Sequence, residues 1–167
     1  MAIFRYRVTI PCSKVFFREY GLDSGMSLFR LRGFLDRDLG FAPDQMTMFE
    51  VLSGKGKVMR RIGLFDFGDG SMDHVSVEEA FGEEGVVLRY VYNMDRDLFL
   101  ELRQVSALEY SPRISYPVLL AERGRNPDQF SAVYEEFEEF SAKAQESAET
   151  EDAAYEDDEL PEGEENL

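Results

Sequence analysis

The chain opens with an alternating stretch. Phe4, Tyr6, Val8 and Ile10 fall on one side, and Arg5, Arg7 and Thr9 on the other, which predicts a half-buried strand over Ile3 to Ile10. After the short break Pro11-Cys12-Ser13, the stretch Lys14 to Tyr20 predicts a second strand, with Val15 and Phe17 on one face and Phe16 and Tyr20 on the other. So short a break predicts an antiparallel hairpin. Gly21 to Gly25 is expected to be loop. Leu28, Leu31, Phe34, Leu35 and Leu39 then recur at helical spacing. Ser27 stands at the N-cap, Met26 is placed to staple against Leu31, and Gly40 sits where a left-handed cap is wanted, so the helix is predicted over Leu28–Leu39. Gly33 inside it costs about 1 kcal/mol relative to alanine. It either permits a close backbone approach or is merely tolerated.

Thr47 to Leu52 predicts a third strand, Ser53-Gly54-Lys55-Gly56 a turn, and Lys57 to Ile62 a short polar fourth strand. Gly63 to Asp73, rich in Gly and Asp, is expected to be loop. Ser76-Val77-Glu78-Glu79 matches a capping box and opens a single helical turn ending near Gly82. Val86 to Tyr92 and Leu98 to Val105 predict two more strands around a turn at Asn93 to Asp97. Ser111 to Pro127 holds three prolines without a clear period and is expected to be irregular. From Asp128 to Ala144 a helix is expected. Phe130, Val133, Tyr134, Phe137 and Phe140 form its apolar stripe and Glu135, Glu136, Glu138 and Glu139 its opposite side.

This order predicts an α+β fold with one main helix packed on a single sheet, a β-β-α-β-β-(α)-β-β roll. A ubiquitin-like roll is the nearest analogy. The expected organisation is a roll domain over 1–125, an acidic amphipathic helix over 126–144 and a disordered acidic tail over 145–167.

Charge sharpens that division. Residues 1–125 hold 17 Lys and Arg against 18 Asp and Glu, whereas residues 126–167 hold Lys143 alone against 16 acids, so the ends carry −1 and −15 of the total −16. A sequence pI near 4.4 argues against non-specific DNA binding by the whole chain, which needs Lys and Arg to neutralise phosphates. No apolar run approaches the roughly 20 residues of a membrane span. The alternating N-terminus does not read as a secretory signal. Cys12 is the single cysteine, so no intrachain disulfide forms, which fits a cytoplasmic setting.

Candidate chemistry is sparse. Asp66-Phe67-Gly68 spells the magnesium motif of protein kinases, but the other kinase elements are absent and the chain is too short. Asp66, Asp69, Asp73 and His74 crowd one loop without the spacing of a calcium loop, and read as a solvated acidic segment. His74 reads as a surface histidine and Cys12 as inert. Gly54-Lys55-Gly56-Lys57 is followed by a strand rather than a helix, and so is a hairpin turn, not a phosphate loop. With Arg60 and Arg61, Lys55 and Lys57 still make the densest basic patch of the body, suited either to nucleic acid or to the protein's own acidic end. The Phe130–Phe140 stripe either docks on the body or folds onto a partner groove. The terminal acids are a solubilising tail or bind a basic partner.

Two stretches carry a family resemblance. One runs from Phe4-Arg5-Tyr6-Arg7-Val8 through the capped helix to Gly40-Phe41-Ala42-Pro43-Asp44-Gln45-Met46-Thr47-Met48-Phe49. The other is Leu88-Arg89-Tyr90-Val91-Tyr92-Asn93-Met94-Asp95-Arg96, followed by Phe99-Leu100-Glu101-Leu102. Over about residues 3–110 the chain resembles a divergent, acidic-tailed branch of the Ri-plasmid open-reading-frame-three family. Those are small bacterial proteins sometimes labelled passenger or resolvase-like proteins of a mobile element. The main family follows its two tyrosines with Asp-Phe-Gly-Asp, then Trp and His, and often carries Leu-His in the helix. Here Asn93, Met94, Asp95 and Arg96 follow Tyr92, the helix reads Leu31-Arg32, and no Trp exists. The resemblance therefore implies a fold and argues against enzymatic chemistry.

The function expected is a non-enzymatic cytoplasmic interaction protein without cofactor or metal. Its contact residues are Phe130, Val133, Tyr134, Phe137 and Phe140, and its partner is a basic protein. The alternative is a nucleic-acid-associated accessory factor of a mobile element. There Lys55, Lys57, Arg60 and Arg61 contact phosphate and the acidic tail competes.

Overall fold

The computed structural model describes residues 1–134. Its elements are β1 (Ile3–Thr9), β2 (Phe17–Asp23), α1 (Leu28–Leu39), β3 (Met48–Leu52), β4 (Val58–Ile62), α2 (Val77–Phe81), β5 (Val87–Asn93), β6 (Leu98–Leu108) and β7 (Val118–Arg123). The strands form one seven-stranded sheet in the order β4-β3-β5-β6-β1-β2-β7. Every pairing is antiparallel, that of β1 with the late strand β6 included. The fold is α+β, as expected.

Alternation divides the sheet into two faces. Tyr6, Val8, Tyr20, Leu22, Phe49, Val51, Leu88, Tyr90, Leu100 and Leu102 are buried and join Leu28, Leu31, Leu35 and Leu39 of α1 and Val77, Ala80 and Phe81 of α2 in one core. The intervening positions carry charge. Arg5 and Arg7 both donate to Glu19 at 2.7 Å, Arg89 spans Glu50 (3.7 Å) and Glu101 (3.3 Å), and Arg61 reaches Glu50 at 3.3 Å. Half-exposed pairs of this kind add little stability. They keep that face wet and opposed to the core, so each strand has one register that buries its apolar side.

Local chemistry sets the helix ends. Ser27 accepts from the Arg30 N–H at 3.1 Å, and Gly40 closes α1 at φ 74° with its N–H on the Asp36 carbonyl. At α2, Ser76 and Glu79 satisfy each other's backbone N–H groups, the capping box read from sequence. Gly33 faces no crowded backbone. A Cβ there meets only the end of the Arg37 side chain, at 3.4 Å. Gly33→Ala is therefore expected to raise stability by about 0.5–1 kcal/mol, read as a higher urea midpoint with an unchanged slope.

Three expectations change. β2 runs from Phe17 through Gly21 and Leu22 to Asp23 rather than from Lys14 to Tyr20. Gly21 is not a breaker, for a Cβ there lies 3.1 Å from Val118 of the neighbouring strand, so its bareness lets β7 approach. The segment Ser111 to Pro127, expected to be irregular, supplies that strand. Residues 128–134 are turn and coil rather than the start of a helix. Asp128 accepts the Phe130 N–H at 2.9 Å and Ser131 the Val133 N–H at 3.2 Å, local bonds that compete with helical ones. The remaining helix and tail expected over 135–167 lie outside the described residues.

Residues 124–134 fall in the same compact unit as the sheet, Met1–Tyr134. Gln129 makes a reciprocal pair with the Ala42 backbone, at 2.8 and 3.2 Å, and its carbonyl accepts from Asn93 at 2.9 Å. Tyr134 donates to the Arg125 carbonyl at 2.8 Å, and its ring meets Phe16 edge-on at 6.1 Å.

Candidate interaction surface

The loop after β4 is held open by its own backbone bonds. Asp66 Oδ1 accepts the N–H groups of Gly68 (2.8 Å) and Gly70 (3.1 Å), which hold its carboxyl below the usual carboxylate range. Gly68 and Gly70 supply the positive φ values, 122° and 97°, that this turn requires. Asp69 accepts from the Arg61 N–H at 3.0 Å, and its carbonyl accepts from Arg60 at 2.7 Å. Gly63 bridges to Ser71, with the Met72 N–H on the Gly63 carbonyl. The Asp66-Phe67-Gly68 triplet is thus a turn.

This bracing displays apolar side chains outward. Phe65 and Phe67 are 70% and 83% exposed. With Leu64, Met46, Met48 and Met94 they surround a cavity of about 420 Å³, whose charged members are Arg61 and Asp69. Folded chains seldom leave large contiguous apolar patches in water, and aromatic and methionine side chains are enriched where partners dock.

The residues singled out from sequence are scattered. Of the stripe, Tyr134 is buried, whereas Phe130 and Val133 are 53% and 70% exposed; Phe137 and Phe140 lie outside the described residues. Lys55 and Lys57 flank the β3–β4 turn, in which Ser53 Oγ accepts their N–H groups. Arg60 and Arg61 are neighbours on a strand and so point to opposite faces of its sheet. Arg61 already meets Glu50 and Arg60 the Asp69 carbonyl. The four cations do not form one surface.

His74 is exposed, its Nδ1 3.1 Å from Ser71 Oγ and 3.3 Å from Asp73. Among the described residues no group of three His, Cys, Asp or Glu is placed to hold a metal. No helix among them is long and apolar enough to cross a membrane.

Two polar clusters were not read from the sequence. Arg18, 2% exposed, binds the backbone where the chain leaves β7. Asp36, on the buried side of α1, accepts from Tyr90 at 2.6 Å. An Arg in strand β2 at the same parity as Tyr20 and Leu22, and an Asp beside Leu35, were the available signals. Both put charge at core positions.

The architecture is that of an α+β protein built on one antiparallel sheet. No family model matches the chain, and no curated protein matches it. A solved structure, the protein of unknown function MM3350 from Methanosarcina mazei Go1, is similar in fold. It superposes with a TM-score of 0.68 over 95% of this chain and 91% of that one, at 15% identity.

Proposed function

We propose that this is a non-enzymatic interaction protein whose docking element is the Met/Phe surface around the β4–α2 loop. The observation that carries this is Phe65 and Phe67 standing exposed on a loop tied down at Asp66, Asp69 and Gly63. A braced loop presents aromatic side chains without an ordering cost at binding. The partner class favoured is a basic protein. The net −15 over residues 126–167 attracts cations at a distance, and an apolar anchor then fixes the complex. The Phe130–Phe140 stripe remains part of this reading through Phe130 and Val133. A divergent membership of the Ri-plasmid open-reading-frame-three family, a roll scaffold and a cytoplasmic setting belong to the same proposal.

The nucleic-acid reading draws less support, because Arg60 and Arg61 face opposite ways and are engaged.

Affinity purification from native lysate tests the proposal on three chains: the full chain, Phe65→Ser/Phe67→Ser, and residues 1–134. The double variant removes only exposed rings and is expected to melt with the wild type. It should lose a basic partner that the full chain retains, and the shortened chain should bind it more weakly and with less dependence on salt. If the double variant kept every specific partner, the Met/Phe surface would not be the docking element.

A further inference from the structure

The sheet is stepped. β6 runs 11 residues, Leu98–Leu108, but β5 pairs with it only from Leu98 to Leu102. Beyond Leu102, β1 continues along one side of β6 and no strand lies along the other. Among the described residues, 103–108 make no backbone bonds except those to β1, and 103–107 are exposed. The cause lies just before β5. Gly85, at φ 84°, packs against Gly54, so the chain entering β5 follows the β3–β4 turn rather than β6. At about 3.4 Å per residue, the bare edge is roughly 20 Å long.

The two outer edges of the sheet are guarded, and this one is not. On β4 the Asp69 carboxylate accepts the Arg61 N–H at 3.0 Å, whereas β7 follows Pro117 and ends on exposed Glu122 and Arg123. Proline and charge keep strand edges from pairing. On β6, Arg103 is held 3.3 Å from Glu101 of its own strand, and Gln104, Val105, Ser106, Ala107 and Leu108 carry no charge. Val105, the extra residue of a bulge against β1, is 53% exposed.

A cavity of about 690 Å³ opens beside this edge, with Phe4 and Phe81 in its lining and Glu78, Glu83 and Glu84 around it. Glu83 and Glu84 are exposed and have no ion-pair partner among the described residues. A second copy of the chain would bring another −16 to these carboxylates, and an acidic segment would meet the same repulsion. A basic segment in extended form suits both the edge and the acids.

We propose that the free edge of β6 binds an extended basic peptide by strand addition, antiparallel to β6 as β5 is. The peptide backbone pairs along residues 104–108. Alternate Lys or Arg side chains lay their stems on Phe4 and Phe81 and set their charge at Glu83 and Glu84. This edge is separate from the Met/Phe surface, and its occupancy does not rest on that surface.

Titration of the full chain with acetyl-Lys-Val-Lys-Val-Lys-Val-amide, followed by amide chemical shifts and hydrogen exchange, tests this. The shifts over 103–108 should saturate, and edge amides there should become protected from exchange. The acidic end of the chain also attracts this peptide, so two N-methylated forms separate pairing from attraction. One is methylated at every valine nitrogen and the other at every lysine nitrogen of the backbone, and both keep the charge. Successive N–H groups of a strand point to opposite edges, so one form should lose saturable binding at β6 and the other keep it. Val105→Lys, at an exposed position, should fold as the wild type does and bind about tenfold more weakly. Glu83→Gln/Glu84→Gln should bind about fivefold more weakly, with less dependence on salt. The proposal is overturned if no saturable shift appears over 103–108, if both methylated forms bind there as well as the parent peptide, or if the glutamate counterpart of the peptide binds as tightly.

Discussion

Arg18→Met is expected to destabilise the protein by about 3 kcal/mol and to release the end of the sheet that β7 closes. Arg18 is the most heavily engaged cation of the described chain. Nη1 donates to the Phe17 and Arg123 carbonyls at 2.8 and 2.9 Å, and Nη2 to the Gly124 carbonyl at 3.0 Å and the Asn126 side chain at 2.7 Å. Its guanidinium lies 4.5 Å from the centroid of the Phe16 ring, and Glu122 stands 3.7 Å from Nε. Four hydrogen bonds to a charged donor at about 1.5–3 kcal/mol each would exceed the expected loss, but burying the guanidinium offsets a large part of them. Methionine keeps an apolar stem of similar length, so the packing survives while three carbonyls and an amide oxygen lose their bonds to the guanidinium. The weakened region is local. Tryptic cleavage after Arg123 and Arg125 under native conditions should therefore accelerate more than global unfolding does. Arg18→Lys should fall between the two, because an ammonium lacks the planar fork. A variant with the wild-type urea midpoint and the wild-type cleavage rate would remove Arg18 from this role.

Why Arg18 was not legible in the sequence follows from where its partners lie. Three of its four bonds run to residues 105 to 108 positions away, and no local pattern announces such distances. The helices were legible for the opposite reason. Ser27, Gly40 and the Ser76–Glu79 box act within one turn, so the ends of α1 coincide with the residues that cap it. Strand β7 was hidden because its residues are half-buried or exposed, and because prolines surround it. Its position comes from pairing with β2, at a glycine that reads in isolation as a break. The amphipathic period after Asp128 was real, yet over 128–134 the Gln129 and Tyr134 anchors and the Asp128 and Ser131 turns prevail. Within the basic patch, Arg60 and Arg61 are adjacent in sequence but alternate across strand β4, which a count of cations along the chain does not register. For Phe65 and Phe67 the sequence held the residue types without the exposure. A Leu-Phe-Asp-Phe run in a Gly/Asp loop has no period, and only the bracing at Asp66 and Asp69 turns the rings outward.

Tyr90→Phe is expected to cost about 2–3 kcal/mol at neutral pH and less in acid. Tyr90 is fully buried, stacked on Phe49 at 5.0 Å, and donates to Asp36 Oδ1 at 2.6 Å. Asp36 Oδ2 has no hydrogen bond among the described residues, and the nearest cation, Arg32 Nε, is 3.9 Å away and donates to Thr47 instead. Burial pushes the Asp36 carboxyl above its ordinary range, against the opposing pull of Tyr90, Arg32 and Arg37. The sign follows from that direction. The folded state holds the Asp36 proton more tightly than the unfolded chain does. This group's contribution is therefore complete below the ordinary carboxyl pKa and declines as pH rises through the raised folded value. Removing the Tyr90 hydroxyl takes away a bond that favours the carboxylate, so the folded pKa moves further up. The difference between wild type and variant must then widen from acid to neutral pH. Urea titrations of the two proteins at several pH values measure that difference directly, and the many other carboxylates cancel between them. Asp36→Leu/Tyr90→Phe should recover part of the loss, because replacing both partners leaves no buried charge unpaired. A Tyr90→Phe penalty that stayed constant across pH would mean that Asp36 does not ionise in the folded protein, and that the bond to Tyr90 joins two neutral groups.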